Sequence, residues 1–181
     1  MTRKHVLGLS AALAAVAATT GFTQSHAAAH APATVRHARQ YCVVVIDKAP
    51  ERHLDSRVAS RTCAASPTAQ SLLAAKADNT LLVTFYENAG YNADPNPGAE
   101  TSIYGRSGPC DSSGYTFEDT SGANDEVNGI SSYRLYSNCN RSDIFTGTSL
   151  SGTGSTILYG DQPYVGAAWN DNVNSMGVWH D

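Results

Sequence analysis

The stretch that decides the fold is NDNVNS at residues 170–175, because most of it occurs twice in the chain. Its first five residues repeat, with one change, the string NDEVN at residues 124–128, and a serine-containing segment with strand character follows each copy. Asn and Asp favour turns because their side chains hydrogen-bond to the nearby backbone. We therefore expect two similar units within residues 77–181, each closed by such a turn and a strand.

The sequence around the repeat alternates between short apolar runs and clusters of Gly, Ser, Asn and Asp. The predicted strands lie at residues 80–86, 102–104, 115–118, 130–136, 156–159, 164–166 and 176–179. Strands at this spacing predict an all-β fold, either an antiparallel sandwich or a barrel. Upstream, residues 41–46 predict a buried strand, residues 51–62 a loop or a turn of helix, and residues 68–77 a helix.

Composition agrees with this fold class and excludes others. Only 15% of the 181 residues are charged and 15 are Gly, which argues against coiled coils, helical bundles and highly charged disordered tails. The net charge of −4 combines two opposite parts: residues 1–76 hold nine basic and three acidic residues, and residues 77–181 hold three basic and thirteen acidic ones. The acidic part should attract cations and disfavour nucleic acid as a partner.

The first 29 residues have the features of a signal peptide. Basic residues at positions 3 and 4 precede an apolar run at 6–18, and cleavage sites of the A-x-A type follow at 25–29. A transmembrane anchor is the alternative, but the run is rich in Ala and Thr, which favour bilayer insertion only weakly. We expect a secreted, extracellular protein with a disordered lead-in at 30–40 and no membrane span once the leader is removed.

The four cysteines are Cys42, Cys63, Cys110 and Cys139, and none of them forms a C-x-x-C pair. An even number of cysteines in an exported chain predicts two disulfide bonds. Three connectivities are open. We favour Cys42–Cys63 and Cys110–Cys139, because the first pair lies within residues 1–76 and the second within residues 77–181. Each bond should add about 3–4 kcal/mol by restricting the unfolded chain.

Two kinds of motif in residues 77–181 resemble those of the βγ-crystallin Greek-key family. A key of that family opens with an aromatic residue, four residues, an aromatic residue, one residue and a glycine. Residues 86–93 (YENAGYNA) match this opening except at Ala93; in the second half, residues 145–147 (FTG) supply its end, with Asn140 where the first aromatic is expected.

The closing motif of each key in the microbial members is two Asn or Asp, two free positions, Ser or Thr, and then Ser. Residues 170–175 match it except at Asn174, and residues 127–132 match it except at the first position. The resemblance implies two Greek-key motifs packed as a two-sheet sandwich at 77–181. Residues 41–76 have no counterpart in the basic module, so they form an N-terminal extension, either an added strand with a disulfide clamp or a small pro-region.

The resemblance also implies calcium as a cofactor. Transferred position by position, its ligands are side chains or backbone carbonyls of Glu87, Asn128, Gly129, Ser131, Asp171, Asn172 and Asn174. Of these, Glu87, Gly129 and Asn172 would contribute carbonyl oxygens. Calcium takes six to eight oxygen ligands of these kinds. The alternative is that the Asn and Asp residues only stabilise turns and that Ser131 simply lies on a strand.

Catalytic residues are not predicted. The G-x-S-x-G, H-E-x-x-H and P-loop patterns are absent, and His180 is the one histidine in residues 77–181. The favoured function is a secreted, non-enzymatic extracellular module, with calcium binding and a purely structural role of the turns both left open. A secreted peptidase inhibitor is the alternative, and a cell-wall or sugar hydrolase is a third, less favoured class.

An inhibitor would present a rigid loop to an extracellular protease. The candidate loops are residues 138–142, with Arg141 as an exposed basic side chain, and residues 95–100. The other partner considered is a cell-wall component, which the basic lead-in could contact. We expect the protein to be a monomer.

Overall fold

The computed structural model describes residues 39–50, 56–93, 95, 97–117, 129–155 and 157–181. The predicted signal peptide, most of the lead-in at 30–40 and the first copy of the repeat at 124–128 lie outside the described residues. In chain order the elements are β1 (Tyr41–Ile46), β2 (Val58–Ala64), α1 (Gln70–Lys76), β3 (Thr80–Tyr86), β4 (Glu100–Gly105), β5 (Tyr115–Phe117), β6 (Ser132–Leu135), β7 (Arg141–Phe145), β8 (Leu158–Tyr159) and β9 (Ser175–Trp179).

The strands form two sheets. The first has the order β2-β1-β4-β3-β6, in which β1 runs parallel to β4 and the other neighbours are antiparallel. The second has the order β5-β9-β7-β8 and is antiparallel throughout. These sheets confirm the predicted all-β class.

Residues 77–181 consist of a first half, which ends with β6, and a second half, which begins with β7. Each of these halves contributes one segment to the sheet of the other half. β5 follows β4 in sequence but pairs with β9 in the second sheet. In return, Gln162 forms an isolated bridge with Tyr133 of β6, and Val165 donates its backbone N–H to Ser131 O at 2.9 Å. This exchange ties the two halves together through backbone hydrogen bonds.

The main core lies between the sheets, because alternate side chains of each strand point to the same face. Val83, Phe85 and Ile103 of the first sheet share one buried cluster with Ile144 and Met176 of the second. Phe85 is fully buried and its ring meets the rings of Phe117 and Tyr133 edge to face. The geometry is the one that aromatic pairs prefer.

The extension at 41–76 is part of the first sheet. Val43 and Val45 of β1 face away from the main core, and Leu72 of α1 packs on them with Tyr104 in a second cluster. Of the two interpretations of this segment, the structure therefore shows the added strand. The predicted helix at 68–77 is confirmed as α1, but residues 58–64, predicted partly as loop or helix turn, form β2.

Both favoured disulfides are present. Cys42 and Cys63 are directly opposite each other in the β1–β2 pair, so the bond fastens the added strands to one another. Cys110 and Cys139 are buried in the main core, 2% and 7% exposed, and join the segments that precede β5 and β7.

In the second half, the structure differs from the predicted strands at two places. Residues 141–145 (RSDIF) form β7, a strand the sequence did not predict because polar residues dominate it. Residues 164–166 were predicted as a strand but form none, although the segment runs beside β6 through the Val165 hydrogen bond.

Candidate metal centre

The Ser132 side chain is hydrogen-bonded to the hairpin that follows β3. Its hydroxyl donates to Asn88 O at 2.6 Å and accepts a hydrogen bond from Tyr91 N at 3.0 Å. The preceding residue, Ser131, donates its backbone N–H to Tyr86 O at 3.0 Å. The end of β3, the hairpin after it and the start of β6 are thus joined at three points.

The second half repeats this pattern around Ser175. Its hydroxyl donates to Gly147 O at 2.5 Å and accepts from Leu150 N at 3.0 Å. The preceding residue, Asn174, donates its backbone N–H to Phe145 O at 2.8 Å. The equivalence pairs the closing motif at 127–132 with that at 170–175, and not the similar strings at 124–128 and 170–174.

The same equivalence corrects the alignment of the second opening motif. Phe145 is the counterpart of Tyr86, because the two carbonyls accept equivalent backbone hydrogen bonds. The glycine position of the motif then falls on Gly152, which has φ +77, and Leu150 replaces the second aromatic residue. The prediction that Phe145 stands near the end of the motif, with Asn140 at its start, was wrong because this leucine disguises the pattern.

Aromatic packing fixes the hairpin of the first half. The rings of Tyr86 and Tyr91 lie edge to face with centroids 5.7 Å apart, and the Arg134 guanidinium lies 4.1 Å from the Tyr91 centroid. Burial raises the pKa of the Tyr86 phenol, and a hydrogen bond with Tyr136 raises it further. The two aromatic positions of the opening motif therefore hold the hairpin against β6.

The turns that precede β6 and β9 meet at Gly129 and Asp171. Gly129 has φ +104, and a Cβ atom at this position would lie 2.4 Å from Asp171 Oδ1 and 2.6 Å from Asp171 Cα. Asp171 itself has φ 59, and its backbone N–H donates to Ile130 O at 3.3 Å. A carboxylate of the second half therefore lies directly against the turn of the first half.

Ser131 and Glu87 lie near this junction. Ser131 is 5% exposed and follows Ile130, which accepts the Asp171 hydrogen bond. Through its bond to Tyr86 O, it also lies next to the backbone of Glu87. The Glu87 carboxylate accepts the backbone N–H of Ala99 at 2.8 Å within the hairpin, so a metal ligand from Glu87 would be its carbonyl oxygen, as predicted.

The other predicted ligands lie at the turn of the second half. Asn174 is half-buried, and its Nδ2 donates to Thr146 O at 2.6 Å. Asn172 is exposed and donates its backbone N–H to Trp169 O at 2.9 Å. Thr146 was not among the predicted ligands; it is the counterpart of Glu87, and only the corrected alignment of Phe145 reveals it.

Six of the seven predicted ligands are described, and Asn128 lies outside the described residues. The structure brings Gly129 and Asp171 into contact, with Ser131 and Glu87 nearby along the backbone. In the part of the chain that the structure describes, no three His, Cys, Asp or Glu residues gather as metal ligands. The first-half set is thus one carboxylate with hydroxyl and carbonyl oxygens, which suits a hard cation such as calcium.

Arg141 is not the exposed basic side chain that an inhibitor loop at 138–142 would need. Its side chain is only 16% exposed and forms ion pairs with Asp143 at 3.4 Å and Asp181 at 2.9 Å. Its guanidinium also lies 5.5 Å from the Trp179 ring centroid. That part of the inhibitor prediction was wrong because residues 141–145 form β7.

The end of the second candidate inhibitor loop, residues 95–100, is hydrogen-bonded to the hairpin that follows β3. Ala99 donates its backbone N–H to the Glu87 carboxylate, and its carbonyl accepts a hydrogen bond from Asn92 Nδ2 at 2.7 Å. Asp94 and Asn96 lie outside the described residues. Burial raises the pKa of the Glu100 carboxyl, which starts β4 opposite Tyr86, while the charge of Lys76 partly opposes this shift.

The structure is similar to solved βγ-crystallin domains from bacteria. One from Clostridium beijerinckii has 21% sequence identity and a TM-score of 0.40, and the match covers 54% of this chain and 97% of that one. One from Flavobacterium johnsoniae has 18% identity and a TM-score of 0.37, over 55% and 96% of the two chains. The N-terminal domain of protein S has 16% identity and a TM-score of 0.36, over 55% and 96%.

The first two of these structures are βγ-crystallin domains, the family that the sequence motifs resemble. Neither a protein-family model nor a curated protein matches the chain. Within the described residues, no helix has the length and apolar character needed to span a membrane.

Proposed function

We propose that this protein is an exported, non-enzymatic module of βγ-crystallin type that binds one calcium ion at the turn of its first half. The observation that carries the proposal is the contact between Gly129 and Asp171, which puts the carboxylate of one half against the turn of the other. The donors would be the Asp171 carboxylate, the Ser131 hydroxyl and the carbonyls of Gly129 and Glu87.

The exchange of β5 and of residues 162–165 between the sheets supports the interpretation of the halves as two Greek keys. In this arrangement a cation at the junction would be shared between the halves. Binding a ligand only in the folded state stabilises that state by mass action. The biological effect we propose is therefore structural: calcium would strengthen the contact between the two halves.

Charge and covalent structure are consistent with an extracellular setting. Residues 77–181 carry ten more acidic than basic residues, which raises the local concentration of cations. Two disulfides are expected in an oxidising compartment. Calcium sites of extracellular modules commonly have dissociation constants of about 10⁻⁴–10⁻³ M, so we expect an affinity in that range.

The test is the melting temperature of the full chain with and without calcium. At 10 mM calcium, an affinity of this order corresponds to about 1.4–2.7 kcal/mol of added stability, or roughly 3–10 °C in Tm. Asp171→Asn should remove most of the increase, since it removes the one carboxylate of the set. The matched control is Asp78→Asn, which loses the same charge at another residue with positive φ.

The proposal predicts a calcium-dependent increase for the wild type and for Asp78→Asn, and little for Asp171→Asn. If calcium does not change the wild-type Tm at 10 mM, the proposal is wrong. The same holds if the two variants respond equally.

A further inference from the structure

We infer that the Asn174 amide occupies, in the second half of the protein, the position that a cation takes in the first, so that the chain binds one calcium ion and not two. This inference rests on the proposed calcium site. The two turns are equivalent in backbone structure, but their side chains differ at one position. At the first turn this position would supply a metal ligand, and at the second it supplies a hydrogen-bond donor.

The equivalence of the two halves identifies the replaced position. Ser131 N donates to Tyr86 O, and Asn174 N donates to the equivalent carbonyl, Phe145 O. Asn174 is therefore the counterpart of Ser131. Thr146, which follows Phe145, is the counterpart of Glu87, which follows Tyr86. A cation at the first turn would be bound by the Ser131 hydroxyl and the Glu87 carbonyl. The corresponding atoms at the second turn belong to the Asn174 side chain and Thr146 O.

At the second turn these two groups bind each other directly. Asn174 Nδ2 lies 2.6 Å from Thr146 O. A carbonyl oxygen only accepts hydrogen bonds, so the atom that faces it must be the amide nitrogen and not the amide oxygen. The carbonyl that a cation would need already accepts an N–H, and the polar atom opposite it is a donor.

The second set of ligands also carries less negative charge than the first. The first set includes the Asp171 carboxylate, which reaches the first turn from the second half. The closing motifs align Asp171 with Asn128, so the residue of the first half at the corresponding position is neutral. The described residues of the second set, Thr146, Asn172 and Asn174, also include no carboxylate, whereas calcium affinity increases with the number of charged ligands.

The amide also explains how the second hairpin is fixed without a metal. Besides Asn174, Ser175 Oγ donates to Gly147 O, and Thr146 N donates to Thr153 O at 3.1 Å. These side-chain and backbone hydrogen bonds close the second turn. Calcium should bind at the first turn and leave the second unchanged.

The experiment measures calcium stoichiometry by isothermal titration calorimetry on the full chain. Asn174→Asp keeps the size of the side chain but replaces the donor with oxygens, and Asn174→Ser restores the residue type of the first half. Asn138→Asp is the matched control. Its Nδ2 also donates to a backbone carbonyl, Cys110 O at 3.2 Å, away from both turns.

The inference predicts one calcium ion for the wild type and for Asn138→Asp, and two for Asn174→Asp or Asn174→Ser. It also predicts that Asn174→Asp lowers Tm without calcium and has a larger calcium-induced increase in Tm than the wild type. Two ions in the wild type, or one in both Asn174 variants while they remain folded by circular dichroism, would overturn it.

The outcomes separate this inference from the proposed function. If the wild type binds no calcium and Asn174→Asp binds one, the proposed site is wrong but the role of the Asn174 amide stands. If the wild type binds one ion and the folded Asn174 variants also bind one, the proposed site stands and the inference fails. If no variant binds calcium, both are wrong.

Discussion

Gly129 and Asp171 lie so close that a Cβ atom on Gly129 would come within 2.4 Å of Asp171 Oδ1, although each residue belongs to a different half of the protein. The two turns that carry them are the two closing motifs, and their contact makes a carboxylate available to a turn whose own residues are neutral.

Gly129→Ala should destabilise the protein by about 2–5 kcal/mol. The positive φ costs an L residue about 1–2 kcal/mol, and overpacking against Asp171 adds a further penalty. Urea denaturation measures the loss. Gly108→Ala is the control, because Gly108 has φ +85 but nothing within 4 Å of the added atom, so it should lose only about 1–2 kcal/mol. Equal losses would contradict the crowding at Gly129.

Tyr133→Phe should lower the free energy of unfolding by about 1–2 kcal/mol. The Tyr133 hydroxyl lies 2.7 Å from Ser142 Oγ, and both residues are 0% exposed, so the substitution removes a buried hydrogen bond between the sheets. A double-mutant cycle with Ser142→Ala measures the coupling, expected at about 1 kcal/mol. Tyr159→Phe, at a residue 60% exposed, should change stability by less than about 0.5 kcal/mol.

Removing either disulfide should cost about 3–4 kcal/mol, since the bonds close loops of similar length, with sequence separations of 21 and 29. The Cys110–Cys139 pair should cost more when both residues become Ala, because both sulfurs also pack in the main core. Urea denaturation of the two double variants compares them. A larger loss for Cys42–Cys63 would mean that the added strands matter more to stability than the central clamp.

Glu100→Gln should raise Tm at pH 7. Burial raises the pKa of Glu100, so folding favours the protonated form, and this contribution to stability is present below the unfolded pKa and lost as pH rises through the folded value. Glutamine does not carry the buried charge. Melting at pH 7 and pH 4 tests this: the difference should vanish at pH 4. A lower Tm for the variant at pH 7 would show that attraction to Lys76 outweighs burial.

The sequence predicts those strands that carry a continuous β-branched or aromatic run. Residues 41–46 and 80–86 are both found with their predicted bounds, since burial on a sheet requires such side chains. β2 and β7 were missed because their sequences, VASRTCA and RSDIF, contain no continuous β-branched or aromatic run. Their pairing partners, β1 and β9, determine the strand conformation, and a local sequence pattern does not contain that information.

The candidate site was predictable only in part for a similar reason. The closing motifs identify Asp171 and Ser131 because Asx and serine residues recur there at fixed spacing. The contact between Gly129 and Asp171 depends on how the two halves pack, and the bond from Asn174 to Thr146 O depends on the alignment of Phe145, which Leu150 obscures. Arg141 was expected at the surface because one of its two acidic partners, Asp181, is far from it in sequence and close to it only in the fold.

The most direct test of the single calcium site is an anomalous difference map from a crystal of the protein soaked in calcium. We predict one strong peak, with oxygen ligands at about 2.3–2.6 Å that include an Asp171 carboxylate oxygen and the Gly129 carbonyl. We predict no peak at Thr146 O, where the Asn174 amide remains bound. A map without a peak at Asp171, or with its strongest peak at Thr146, would contradict the proposed site.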